Sequence, residues 1–228
     1  MSAPVNDIST DLAWSVLEAR GEDARSFLQG QLSQDLDAVD ASGAWTLVLA
    51  PDSVVIAACF VRVRDDGVDL VVARELAEAT LARLKRFLLR SKCTLALRDV
   101  ETGPFASTAE QISARWPGPK EIARSLTPHT FGRRFVDETV SFRKGCFTGQ
   151  ELVGRLDARG SSVPWRFVRV EGPSVAAIDD YLRAKGPDGP QGLTSALETE
   201  GRVVALGIAH RTLLAEEPPR EVTLEEIQ

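Results

Sequence analysis

Three apolar runs stand almost back to back between Trp45 and Ala73: WTLVLA (45–50), VVIAACFVRV (54–63) and VDLVVA (68–73). Only the turn signals Pro51-Asp52-Ser53 and Asp65-Asp66-Gly67 separate them. A parallel connection needs a crossover of about a dozen residues or more, so these links restrict the chain to an antiparallel meander. The flanks extend the pattern. Residues 12–19 (LAWSVLEA) read as a strand. In GEDARSFLQGQLSQDLDAV, the residues Ala24, Phe27, Leu28, Leu32 and Leu36 recur at helical spacing. ELAEATLARLKRFLLRS (75–91) is the clearest helix, and CTLALRDV (93–100) closes the series as a strand. The order is β-α-β-β-β-α-β, which predicts an α+β layer with helices on one face of an antiparallel sheet.

Beyond Glu101 the pattern loosens. Pro104, Pro117, Pro119 and Pro128 punctuate a segment with short helices around 107–115 and 120–126. RFVRVEG (166–172), LTSALET and RVVALGIAHR read as strands of a small β unit. The acidic tail EEPPREVTLEEIQ reads as surface or loose chain. At 228 residues the chain fits one large domain or two small ones.

Composition removes several classes. No apolar run approaches the roughly 20 residues of a membrane span. MSAPVNDIST has no basic and apolar regions of a secretion signal, so a cytoplasmic setting is expected. A net charge of −6 gives no reason to expect general nucleic-acid binding. Three cysteines, Cys59, Cys93 and Cys146, and two isolated histidines argue against a disulfide framework and a zinc site. Cys59 and Cys93 read as buried small hydrophobes. His129 and His210 read as surface or capping groups. Trp14, Trp45, Trp116 and Trp165 read as core or rim, and Thr194 and Ser195 as turn or strand residues rather than pocket hydroxyls.

Cys146 sits in RKGCFTGQE (143–151). Thr148 and Glu151 fit a capping box for a helix at about 149–158, with Glu151 and Arg155 one turn apart. A thiol ahead of a helix N-terminus, beside Lys144, is biased towards thiolate. From Phe142 to Arg169 six basic residues face two acidic ones, a balance suited to an anionic small molecule. Local chemistry alone leaves two readings open, a functional thiol and a packed one.

The stretch VSFRKGCFTGQELVGRLDARG resembles the signature of YgfZ-type folate-binding proteins, relatives of the glycine-cleavage T-protein (aminomethyltransferase). Lys144, Gly145, Cys146, Phe147, Gly149, Gln150, Glu151, Arg155, Arg159 and Gly160 fill its places. GEDARSFLQGQLSQD, RLKRFLLRSKCTL and GLTSALETEGRVVALGIAHR resemble further family segments in order. The resemblance implies a T-protein-like folate-binding domain over 1–160 and a small C-terminal β-barrel-like domain over 161–228. It implies a tetrahydrofolate or substituted reduced folate as cofactor, in an apolar pocket walled by the first sheet. It implies a role in assembly or repair of iron-sulfur clusters, including those of tRNA-modifying enzymes. The partners implied are iron-sulfur proteins or assembly factors, with a transient cluster contact and no direct nucleic acid or membrane. Cys146 and Lys144 would carry the chemistry; Gly145, Phe147, Gly149, Gln150, Glu151, Arg155 and Arg159 would bind the cofactor.

The sequence also departs from the family. Phe147 replaces a frequent tyrosine, Ala158 stands near a common aromatic, Ser53 replaces a turn glycine, and the stretch from Gly103 to Val140 is short. Ala57 and Ala58 stand where T-proteins carry an Asp-Asp pair. That opposes the alternative of a folate-dependent aminomethyltransferase, since a methyl group neither orients nor deprotonates an amine. A third reading is an interaction module on the same fold without folate.

Overall fold

The computed structural model describes residues 12–160 and 163–228. The N-terminal stretch read above for a secretion signal lies outside them. The first layer is a five-stranded antiparallel sheet built from β1 (Trp14–Arg20), β2 (Ala44–Leu49), β3 (Val55–Arg64), β4 (Gly67–Ala73) and β5 (Thr94–Val100), in the order β2-β3-β4-β1-β5. Helices α1 (Ala24–Gln29) and α2 (Arg74–Lys85) fall between strands as the sequence predicts. Both pack on one face, where Leu17, Ala57, Cys59, Val61, Leu70 and Val72 meet Leu28, Ala77 and Leu84. The period-2 alternation of β3 puts Ala57 on this helical face and Ala58 on the other.

The opposite face is covered by the middle segment: α3 (Thr108–Ala114), α4 (Pro119–Ile122), a 3₁₀ turn at Pro128–Phe131 and α5 (Arg133–Thr139). Then come α6 (Gln150–Ala158) and a second antiparallel sheet in the order β7-β8-β6-β9: β6 (Trp165–Gly172), β7 (Gly192–Thr199), β8 (Arg202–His210) and β9 (Thr223–Glu226). Strands β7 and β9 are its edges, so among the described residues it is an open sheet, with α7 (Val175–Arg183) laid against it. One core joins the two sheets through the middle segment: Leu47 and Leu49 of the first sheet, Trp116, Phe131 and Phe135 of the middle segment, and Phe167 and Ile208 of the second sheet share a cluster. Glu121 is wholly buried there, accepting from the Gly118 amide (2.8 Å), Gln111 (3.1 Å) and the Ser195 hydroxyl (2.7 Å).

Several expectations are corrected. α1 stops at Gln29, because Ser33 turns its hydroxyl onto the Thr139 carbonyl and receives the Leu47 amide. Leu32 and Leu36 are still fully buried, but from a loop. α2 ends at Lys85, not at 91. The acidic tail is not loose: β9 pairs with β6, and the Ile227 amide bonds the Phe167 carbonyl while its side chain enters the shared core. His129 is not a surface group; it is buried, neither ring nitrogen has a partner among the described residues, and burial pushes its pKa down. No described helix is long and apolar enough to cross a membrane.

Candidate functional site

The loop carrying Cys146 is anchored from three sides. Lys144 is buried, and its ammonium donates to the carbonyls of Gln29 (2.5 Å), Leu32 (2.7 Å) and Gln34 (2.9 Å). Those carbonyls belong to the end of α1 and the loop after it, where a cation satisfies otherwise orphaned acceptors. Burial lowers the Lys144 pKa to about 8, against the pull of Asp35 and Asp37. All three of its N–H groups are spent on carbonyls, so Lys144 has no donor left for the thiol. Those bonds position the loop.

The second anchor is Phe147, whose ring is buried in the shared core with Val153 and lies 5.4 Å from the Lys144 ammonium. The third is Ser53, a fully buried residue at φ 68°, whose hydroxyl donates to the Gly149 carbonyl at 2.6 Å. Gly149 itself sits at φ 84°, and a Cβ there would lie 2.7 Å from the Ala50 carbonyl oxygen, so only glycine fits. The expected capping box is absent. Gly149 is the residue at the N-cap of α6, no side chain caps the helix, and Thr148 donates instead to the Gln31 side-chain oxygen at 3.3 Å. The left-handed turn at Gly149 takes Thr148 out of line with the α6 amides. Glu151 bonds Arg155 at 2.6 Å, as the spacing predicted.

Between these anchors Gly145 and Cys146 are exposed. Cys59 and Cys93 are buried; burial drives the Cys59 thiol up to about 12 and raises that of Cys93. The chain thus presents one accessible thiol on a fixed loop. The surrounding positive charge is largely spoken for. Arg155 pairs with Glu151, Arg166 with Glu226 and Arg169 with Glu171, while Asp157 takes Arg133. Arg143 and Arg159 are exposed, with no ion pair among the described residues.

The apolar space lies elsewhere. A small pocket of about 20 Å³, room for one water, is lined by Trp14, Trp45, Ala58, Leu76, Phe105 and Trp116 among others. Trp45 and Trp116 fill it from either side with ring centroids 4.7 Å apart. Its lining holds no ionisable side chain; Gln111, the one polar side chain, is committed to the Trp116 carbonyl and Glu121. Next to it opens a cleft of about 310 Å³ walled by Trp45, Phe60, Val71, Phe105 and Arg62. Arg62 lies 5.6 Å from the Phe60 ring and has no carboxylate partner among the described residues. None of residues 143–160 lines either space. Gly149 packs on Leu49 and the cleft begins at Trp45, four residues along β2 and so about 13 Å away. The structure therefore brings Lys144, Cys146, Phe147, Gly149, Gln150, Glu151 and Arg155 together but separates them from the cleft. Arg62, Phe60 and Phe105 were not singled out by sequence; a lone arginine two residues from an aromatic in a predicted strand was the available signal.

No protein-family model matches the chain. A Haemophilus influenzae protein (strain ATCC 51907 / DSM 11121 / KW20 / Rd) named "Uncharacterized protein" is 24% identical over 198 residues, spanning 68% of this chain and 70% of that one. The crystal structure of glycine cleavage system aminomethyltransferase T from Bartonella henselae superposes with a TM-score of 0.52 over 90% of this chain and 78% of that one, at 12% identity. The fold is aminomethyltransferase T-like.

Proposed function

We propose that the chain is a YgfZ-type protein that binds a reduced folate and acts through Cys146 on iron-sulfur proteins or their assembly factors, including those serving tRNA-modifying enzymes. The observation that carries this reading is the single exposed thiol, held on a loop tied down by Lys144, Phe147 and Ser53, on a T-protein-like fold. Among the described residues no group of three metal-ligating side chains exists. Cys146 would therefore contribute one thiolate to a cluster whose other ligands belong to the client protein.

The small pocket, at about 20 Å³, does not fit a pterin. The open cleft does, at the lower end of the roughly 300–1,000 Å³ range of ligand pockets. There Trp45, Phe60 and Phe105 line an aromatic wall for a heteroaromatic ring, and Arg62 offers a guanidinium to a glutamate carboxylate. Bound folate would supply one-carbon chemistry, which this chain is poorly equipped to use. Ala58 presents a methyl group to the small pocket, and no base lines it. That weighs against aminomethyl transfer.

Calorimetric titration with 5-formyltetrahydrofolate tests the reading. Saturable micromolar binding is expected for the wild type. Arg62→Ala should weaken it about tenfold, the loss of one charge-assisted contact, and Cys146→Ala should leave it unchanged. No binding by a folded sample would remove the folate from the proposal and favour an interaction module.

A further inference from the structure

Arg83 of α2 is only 6% exposed, yet no carboxylate lies within ion-pair reach among the described residues. Its Nε donates to the Leu49 carbonyl at 2.9 Å and Nη1 to the Gln31 side-chain oxygen at 3.2 Å. Nη2 is buried and has no hydrogen-bond partner among the described residues. Burial and the neighbouring Arg86 both push its pKa down. A buried cation lacking a counter-ion and one set of hydrogen bonds is costly, and such a group in a native fold calls for a reason.

Its neighbours point to one. Gln31 shares the same side-chain oxygen with Thr148, and Leu49 and Ala50 press on Gly149. Gln31 thus bridges the guanidinium to the turn that starts α6, a nine-residue helix that no side chain among the described residues caps at its N-terminus. An uncapped helix start and an unpaired guanidinium are linked through one Gln31 oxygen, and both favour negative charge. The ring of Phe87 covers the guanidinium at 4.2 Å and is itself 43% exposed, just past the end of α2. Around it the segment from Leu81 to Lys92 holds five cations and no acidic residue, in a chain of net charge −6. Of these five only Lys92, with Glu22, has an ion pair among the described residues.

We propose that Arg83, Arg86 and the first turn of α6 form a binding site for an oxyanion, the carboxylate or phosphate of a small ligand, reached when Phe87 swings outward. The site stands at the Leu49 end of β2 and does not depend on folate occupying the cleft at Trp45.

Inorganic phosphate is the first probe, titrated into the full chain at constant ionic strength with chloride as control. Thermal stability and the Arg83 side-chain N–H signal in NMR provide the readouts. Phosphate is expected to raise the melting temperature saturably and to shift that signal. Arg83→Lys should weaken binding at least tenfold, or about 1.4 kcal/mol, and Phe87→Ala should strengthen it by uncovering the site. A response in Arg83→Lys equal to the wild type, or a wild-type response no larger than that to chloride, would overturn the proposal. If Arg83→Lys does not fold, Arg86→Gln and the wild-type NMR signal decide in its place. A triglutamylated 5-formyltetrahydrofolate then separates the sources: competition with phosphate assigns the site to a glutamate tail, and binding without competition assigns it to a phosphorylated ligand.

Discussion

Replacing Ser53 separates two opposing energies at the turn beneath Cys146. Ser53 holds φ at 68°, which costs a non-glycine residue about 1–2 kcal/mol. In return its hydroxyl donates a second bond to the part-buried Gly149 carbonyl at 2.6 Å, a contact worth about 0.5–1.5 kcal/mol. Ser53→Ala keeps the strain and loses the bond, so it should destabilise by about 0.5–1.5 kcal/mol. Ser53→Gly loses the same bond but relieves the strain, offset by about 0.5–1 kcal/mol of extra chain entropy in the unfolded state. The glycine variant should therefore lie between the alanine variant and the wild type, roughly 0.5–1 kcal/mol above alanine. Urea unfolding with unchanged slope measures this directly. The rate of Cys146 alkylation gives a second readout. It should change by the same factor in both variants, because both free the same carbonyl. An alanine variant as stable as the glycine variant would refute the strain argument. Wild-type stability in both would show that the bond contributes nothing.

Two further outcomes follow from the same site. Burial lowers Lys144 to about 8 from its ordinary 10.5, so the unfolded chain binds that proton more tightly than the folded one. The resulting penalty is constant below pH 8 and is relieved as pH rises from 8 to 10.5. Measured against Lys144→Met, the wild type should gain stability over that window, on the order of 3 kcal/mol. A pH-independent difference in unfolding free energy would contradict it. Native iodoacetamide treatment followed by intact-mass measurement should add one label, on Cys146, and denaturation should expose all three cysteines. Labelling of Cys93 at a comparable rate would show that its burial gives no protection.

The first sheet was legible because two-residue periodicity and short turns leave the meander one solution, and β2, β3 and β4 fall within a residue or so of the runs that define them. The start of α6 was legible while its cap was not. Thr148-x-x-Glu151 has the spacing of a capping box, but Gly149 takes a left-handed turn dictated by the Ala50 carbonyl a hundred residues earlier. α1 was overestimated for a similar reason: Leu32 and Leu36 keep helical spacing while a distant partner, Thr139, draws Ser33 out of the helix. α7 was missed despite a local signal, since Ser174 accepts from the Ala177 amide and Ile178 and Leu182 are one turn apart on its buried side. The tail was misread because its charges were weighed and Leu224 and Ile227, its apolar members, were not. Arg83 carried no local signal at all, because its significance lies in which partners are missing.

The bonds that hold Cys146 in place are long in sequence: Ser53 to Gly149 spans 96 residues, Lys144 to Gln29 spans 115 and Thr148 to Gln31 spans 117. Contacts of such separation close late, after the entropy of large loops has been overcome. During synthesis the chain must extend to Lys144 before the first of them can form and to Gly149 before all three exist, so the thiol is made as an ordinary cysteine on a floppy segment. Its fixed setting is a certificate of finished folding, acquired only when the earliest helix and the latest loop have found each other.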